Sequence, residues 1–133
     1  MRVYTDASTD GEFAGLGWLC EPTVEDCGKY EGKFPITGSF TSMECEYYAL
    51  CRGSICAEQL GASTVYIHSD CTPLVEKMRW PDTEGIWAQR ANMFDEMLQD
   101  KFDVWKFVDI GRAGNTDADR LAKEALYRAR ERC

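Results

Sequence analysis

Hydrophobic and polar positions alternate with period two in three short runs near the N-terminus, then change to a three- and four-residue spacing from Thr41 onward. The runs are residues 2–8 (RVYTDAS), Phe13 to Cys20 (FAGLGWLC) and about Gly28 to Pro35. Their aromatic and aliphatic content, and the turn residues Thr9-Asp10-Gly11 and Glu21-Pro22-Thr23-Val24-Glu25-Asp26 between them, predict three antiparallel strands. Gly15 and Gly17, two apart on one face of the second strand, predict a close backbone approach there. Met43, Glu46, Ala49, Leu50, Gly53, Cys56, Ala57 and Leu60 mark one face of a helix of about five turns, ended by Gly61. Thr64 to Ser69 (TVYIHS) predicts a fourth strand. Pro73 fits the first turn of a short helix running to about Arg79, which Trp80-Pro81 breaks.

Residues 84–100 predict a second long helix, with Ile86, Trp87, Arg90, Met93, Phe94, Met97 and Leu98 at helical spacing. Asp103 to Val108 predicts the fifth strand. The loop Gly111-Arg112-Ala113-Gly114 then leads to a last helix with a stripe of Ala118, Leu121, Ala122, Ala125, Leu126 and Ala129. The order β-β-β-α-β-α-α-β-α predicts an α/β fold: a five-stranded mixed sheet, three antiparallel strands first, flanked by helices. No composition shift, repeat or linker divides residues 1–133, which are expected to form a single domain.

Composition narrows the function classes. No run reaches the ~20 apolar residues of a membrane span, and Met-Arg-Val-Tyr-Thr-Asp meets a charge too early for a secretory signal, so a cytoplasmic protein away from membranes is expected. The seven cysteines are odd in number, contain no CxxC pair and are joined by one histidine, which predicts reduced, mostly buried thiols rather than a disulfide framework or zinc site. Cys20 and Cys27 flank a turn and are the one pair that would face each other across a hairpin. A net charge of −8 argues against a surface that grips phosphate all over. The basic residues Arg112, Arg120, Lys123, Arg128, Arg130 and Arg132 nevertheless gather in the last 22 residues. Those from Arg128 on are equally well read as partners of a helix C-terminus or as substrate contacts.

Four carboxylates stand where packing rules would not place them. Asp6 lies inside the first strand, Glu46 on the apolar stripe of the first helix, Asp70 at the end of the fourth strand and Asp119 in the first turn of the last helix. Buried alone, a glutamate such as Glu46 costs several kcal/mol or takes up a proton, so it needs a partner. Strand ends, a helix face and a helix start can converge at one sheet edge, and a divalent cation relieves the like-charge cluster that results. Hard oxygen ligands suit magnesium or manganese, and two such ions about 4 Å apart suit phosphodiester hydrolysis. Glu44, about 200° around the helix from Glu46, is read as a solvated first-turn residue that favours the helix dipole. His68, two residues before Asp70, is read either as a packed, hydrogen-bonded ring or as a group beside the metals.

The blocks VYTDAS, FAGLGW, TSMECEYYAL, VYIHSDC and GRAGNTDADRLAKEAL, in this order, resemble the type 1 ribonuclease H family, especially its compact archaeal and reverse-transcriptase-like branch. The resemblance spans residues 2–126 and is specific as an ordered set. It implies the ribonuclease H-like fold and endonucleolytic cleavage of the RNA strand of RNA/DNA hybrids, leaving 5′-phosphate and 3′-hydroxyl ends. It places the catalytic, metal-binding carboxylates at Asp6, Glu46, Asp70 and Asp119, with two Mg2+ or Mn2+ ions per site. Substrate contacts are expected at Ser8, Thr41, Ser42, Arg112 and Asn115, in a protein acting as a monomer.

The chain departs from the family pattern in places. Thr41-Ser42-Met43 replaces Thr-Asn-Asn, so the threonine expected on phosphate is kept and the amide pair is not. Ala7 and Cys71 stand for a glycine and a serine, and the loop before the last helix lacks a histidine. Residues 80–102 offer only Arg90 and Lys101 against Asp82, Glu84, Asp95, Glu96 and Asp100, so the basic protrusion of bacterial members is missing and weak, salt-sensitive hybrid binding is expected. Two other readings share parts of this pattern: a DNA nuclease of the same fold, of resolvase or integrase type, and a non-catalytic hybrid- or RNA-binding domain.

Overall fold

The alternating runs become Arg2–Thr9 (β1), Phe13–Glu21 (β2) and Tyr30–Thr37 (β3), a meander in which β2 pairs antiparallel with both neighbours. The computed structural model of the protein describes residues 1–22 and 29–131. Gly28, Cys27 with its proposed pairing to Cys20, Arg132 and Cys133 lie outside the described residues. Beyond the meander come Ser42–Gln59 (α1), Thr64–Ser69 (β4), Thr72–Arg79 (α2), Ile86–Lys101 (α3), Val104–Asp109 (β5) and Thr116–Glu131 (α4). A single 3₁₀ turn, Arg112–Gly114, joins β5 to α4. The strands form one mixed sheet in the order β3-β2-β1-β4-β5, with β4 parallel to both β1 and β5.

Where boundaries moved, a pairing or a backbone angle moved them. β3 begins at Tyr30 and ends at Thr37 because its register on β2, Cys20 opposite Tyr30 and Phe13 opposite Thr37, overrides local alternation. Pro35 is accommodated there because β3 is an edge strand, where a missing N–H need not break a ladder on both sides. The second long helix starts at Ile86 rather than 84, since Gly85 has φ +96° and cannot be helical.

α1, α2 and α3 share one core with the sheet, in which Leu50, Ile67, Leu74 and Leu98 are at most 1% exposed. Each such side chain contributes roughly 1.5–3 kcal/mol of burial. Val3 and Thr5 of β1 face α1, where Gly53 lets the helix come down onto them. The opposite face belongs to α4, whose Ala118, Ala122 and Ala125 lie directly on Gly15 and Gly17 of β2. A Cβ on Gly15 would stand 2.0 Å from the Ala122 carbonyl oxygen, and one on Gly17 would stand 2.4 Å from that of Ala118. The two glycines are therefore the close approach that the sequence predicts.

This topology decides where chemistry can occur. The parallel pairing sets Thr5 opposite Ser69, so the next residue of each strand, Asp6 and Asp70, leaves the ladder at the same level.

Candidate active site

Asp6, Glu46 and Asp70 each offer a carboxylate oxygen within 4.8 Å of the others. β1 supplies the first, the buried side of α1 the second and the end of β4 the third. Asp6 is 5% exposed and Glu46 9%, and the Ala7 amide donates to Asp6 Oδ1 at 2.9 Å. Glu46 Oε2 is buried without a hydrogen-bond partner. A carboxylate oxygen in that position needs a proton or a cation.

The electrostatics agree with the geometry. Burial pushes the Asp6 carboxyl up to about 7, a hydrogen bond with Glu46 opposing the rise and the charge of Asp70 adding to it. Burial pushes Glu46 up to about 10, with the charge of Asp6 acting in the same sense. Burial and mutual repulsion thus oppose the simultaneous ionisation of the two carboxyls. Asp70 is raised by burial against the pull of the Arg112 guanidinium. Asp119 goes the other way: its hydrogen bond with Lys123 holds it below the usual carboxylate range.

Asp119 is the outlying member. It contacts Asp6 but pairs with Lys123 Nζ at 2.9 Å, and it is not part of the tight trio. The four acidic groups open together into a cleft of about 420 Å³, lined also by Ala7, Ser42, Cys71, Arg112 and Lys123. Among the expected substrate contacts, Ser42 and Arg112 stand on this wall.

Ser8, Thr41 and Asn115 do not stand on that wall. Ser8 is half-buried on β1, opposite Gly15. Thr41 is the N-cap of α1: its hydroxyl accepts from the Glu44 amide at 3.1 Å while Glu44 reaches back to the Thr41 amide, which closes a capping box. Asn115, expected to meet substrate, is instead 1% exposed and spends its amide on the Thr5 carbonyl at 2.8 Å. Its own carbonyl accepts from the Asp119 amide at 3.0 Å. It therefore ties the start of α4 to the strand that carries Asp6.

The other expectations resolve simply. Glu44 is a first-turn residue, as expected, yet half-buried rather than fully solvated, because it pairs with Arg90 at 3.1 Å. The second cation of that region, Lys101, lies 3.7 Å from Glu58. His68 is a packed ring, stacked on Tyr4 at 4.5 Å between centroids, with Nδ1 3.0 Å from the Tyr66 carbonyl oxygen. Cys20, Cys45, Cys51, Cys56 and Cys71 are free thiols. Lys123 is the cleft residue that sequence reasoning passed over, grouping it only with the C-terminal cations. Its i,i+4 spacing from Asp119 was the available signal.

The acidic trio fits a hard divalent cation. All three ligands offer carboxylate oxygen, the Cys71 thiol on the cleft wall is not among them, and the orphaned Glu46 Oε2 requires a positive partner. Asp6, Glu46 and Asp70 would hold such an ion, with Asp119 near enough to Asp6 to join on release from Lys123.

A family model described as reverse transcriptase-like matches residues 5–125. Ribonuclease HI of Halobacterium salinarum is 30% identical over 131 residues, which cover 95% of this chain and 64% of that protein. The chain thus spans somewhat under two thirds of this curated relative's length. The crystal structure of RNase H1 from the same halophilic archaeon superposes with a TM-score of 0.81 at 29% identity, covering 96% of this chain and 98% of the other. LC11-RNase H1, solved in complex with an RNA/DNA hybrid, has a TM-score of 0.81 at 24% identity over 96% of this chain and 97% of its own, a likeness of fold.

Proposed function

We propose that this chain, which belongs to the reverse-transcriptase-like branch of the type 1 ribonuclease H family, cleaves the RNA strand of RNA/DNA hybrids by metal-dependent phosphodiester hydrolysis. The observation that carries the reading is the convergence of Asp6, Glu46 and Asp70 within 4.8 Å, where Asp6 inside β1 and Asp70 just past the end of β4 lie beside Arg112 and Lys123. Carboxylates alone would repel a polyanion, and cations alone would bind it without chemistry. Their juxtaposition suits the cutting of a phosphate ester.

In this reading Asp6, Glu46, Asp70 and Asp119 are the catalytic set. Two Mg2+ or Mn2+ ions bound to them would supply an activated water and stabilise the leaving oxygen, giving 5′-phosphate and 3′-hydroxyl products. The chain's own work is placement. The β1–β4 register sets the separation of Asp6 and Asp70, and the capping box and buried face of α1 aim Glu46 between them. Asn115 holds the first turn of α4, and so Asp119, against β1. Arg112 and Ser42 line the cleft, while Thr41, next to Ser42 in the chain, and Ser8, two residues after Asp6 on β1, would meet substrate beyond its wall. The proposal takes residues 1–133 as one domain acting as a cytoplasmic monomer.

Hybrid, duplex RNA and duplex DNA compared with Mg2+ and then Mn2+ test the reading. Hybrid cleavage that EDTA and Asp70→Asn both abolish is the expected result. Preferential cutting of duplex DNA would move the chain to the resolvase or integrase class, and hybrid cleavage indifferent to Asp70→Asn would remove the site.

A further inference from the structure

Resting on the function proposed above, we propose that Lys123 is a substrate-binding residue that exchanges its Asp119 partner for a backbone phosphate of the nucleic acid. Lys123 follows Asp119 by one helical turn on α4, and its Nζ lies 2.9 Å from Asp119 Oδ2 on the wall of the acidic cleft. The two side chains are 57% and 43% exposed. An exposed i,i+4 pair of this kind is weak and screened by salt, so a phosphate can replace the carboxylate at little cost.

The neighbouring cations are differently placed. Lys33 pairs with Glu124, Arg120 with Glu31 and Glu124, and Arg130 with Asp10, all away from the cleft. Arg112 and Lys123 are the two cations on the cleft wall among the described residues. Arg112 comes from the loop after β5 and Lys123 from the body of α4, so they flank the acidic trio from different elements. Lysine also suits the role chemically, as a point charge on a flexible stem that can turn from a carboxylate to a phosphate. A cation drawn to Asp119 would repel the ammonium and favour the same exchange.

The test is hybrid affinity by fluorescence anisotropy in an Asp70→Asn background, across about 50 to 200 mM salt, with and without Lys123→Gln and Lys123→Arg. One lost phosphate contact makes log K against log salt shallower by about 0.9, so the parent's advantage over the Gln variant shrinks about 3.5-fold across that range. The Arg variant should restore the parent's slope. In the otherwise unaltered enzyme, the effect of Lys123→Gln should fall on KM more than on kcat. A Gln variant with the parent's affinity and slope, or one that loses kcat alone, would overturn the proposal and leave Lys123 as a tether of Asp119. A parent that binds no hybrid would instead remove the functional reading itself, which separates the two failures.

Discussion

Replacing Gly17 by alanine puts a methyl group where the backbone of α4 already stands. The new Cβ would lie 2.4 Å from the Ala118 carbonyl oxygen and 2.5 Å from the Ala122 nitrogen, whereas real Cβ atoms essentially never come nearer than about 3.0 Å. The shortfall is about 0.6 Å, and neither obstacle is a side chain that can swing aside. Helix or strand must move as a body. Overpacking of this kind costs typically about 1–3 kcal/mol, while alanine recovers about 0.4–1 kcal/mol by restricting the unfolded chain. The net loss of about 1–2 kcal/mol should lower Tm by roughly 3–8 °C. Function should suffer too, because Asp119 is the next residue after Ala118 and Asp6 is the β1 partner of Gly17. Misplacing a catalytic group by 1 Å can cost about 100-fold, so a shift of half that size should lower kcat/KM for hybrid roughly tenfold. Thermal denaturation and hybrid cleavage measure the two effects. Gly111→Ala, whose Cβ meets nothing within 4 Å, is the stability control. A Gly17→Ala protein as stable as the parent, or more so, would refute the argument, since without the clash the substitution can only stabilise.

The two glutamates of α1 should separate cleanly in cleavage assays. Glu46→Gln should reduce activity by at least 100-fold while raising the Tm of the metal-free protein, because it removes a buried carboxyl whose ionisation burial and Asp6 both oppose. Glu44→Gln should keep most activity and lower Tm slightly through loss of the first-turn charge and the Arg90 ion pair, since Gln can still accept from the Thr41 amide; the reverse pattern would shift the register of the whole site. Asn115→Ala should cost about 1–3 kcal/mol by leaving the Thr5 carbonyl unpaired, and should lower kcat with little change in KM, whereas a KM effect alone would identify Asn115 as a substrate contact. With EDTA present, stability should fall as pH rises. Asp6 and Glu46 bind protons more tightly folded than unfolded, so their contribution is intact below the ordinary carboxylate range near pH 4. It is lost as pH climbs through about 7 and then about 10. A melting series from pH 5 to 9 should therefore decline, and added Mg2+ should flatten it; a rise with pH would contradict the buried, mutually repelling pair.

Much of this protein can be read locally. Period-two alternation and helical spacing place all five strands and four helices, because each pattern reports the burial of near neighbours in the chain. Glu46 declares itself by standing on an apolar helix face, and Gly15 and Gly17 by sharing one face of a strand. The same local logic missed the later start of β3, which is set by pairing with β2, and it held no sign that Asn115 is buried against β1. The motif around Asn115 reads alike whether its side chain points outward or inward. Its inward turn depends on Thr5, 110 residues earlier.

The sequence by itself determined the elements, the identity of the acidic residues and their order along the chain. Only the tertiary structure decided that Asp6, Glu46 and Asp70 form a tight trio with Asp119 at its margin, held by Lys123. It also decided that Thr41 caps a helix and that Asn115 braces one. Secondary structure follows from interactions a few residues apart, whereas a site depends on strand register and helix docking between segments tens of residues apart. Those long-range pairings convert four separated carboxylates into one charged cleft.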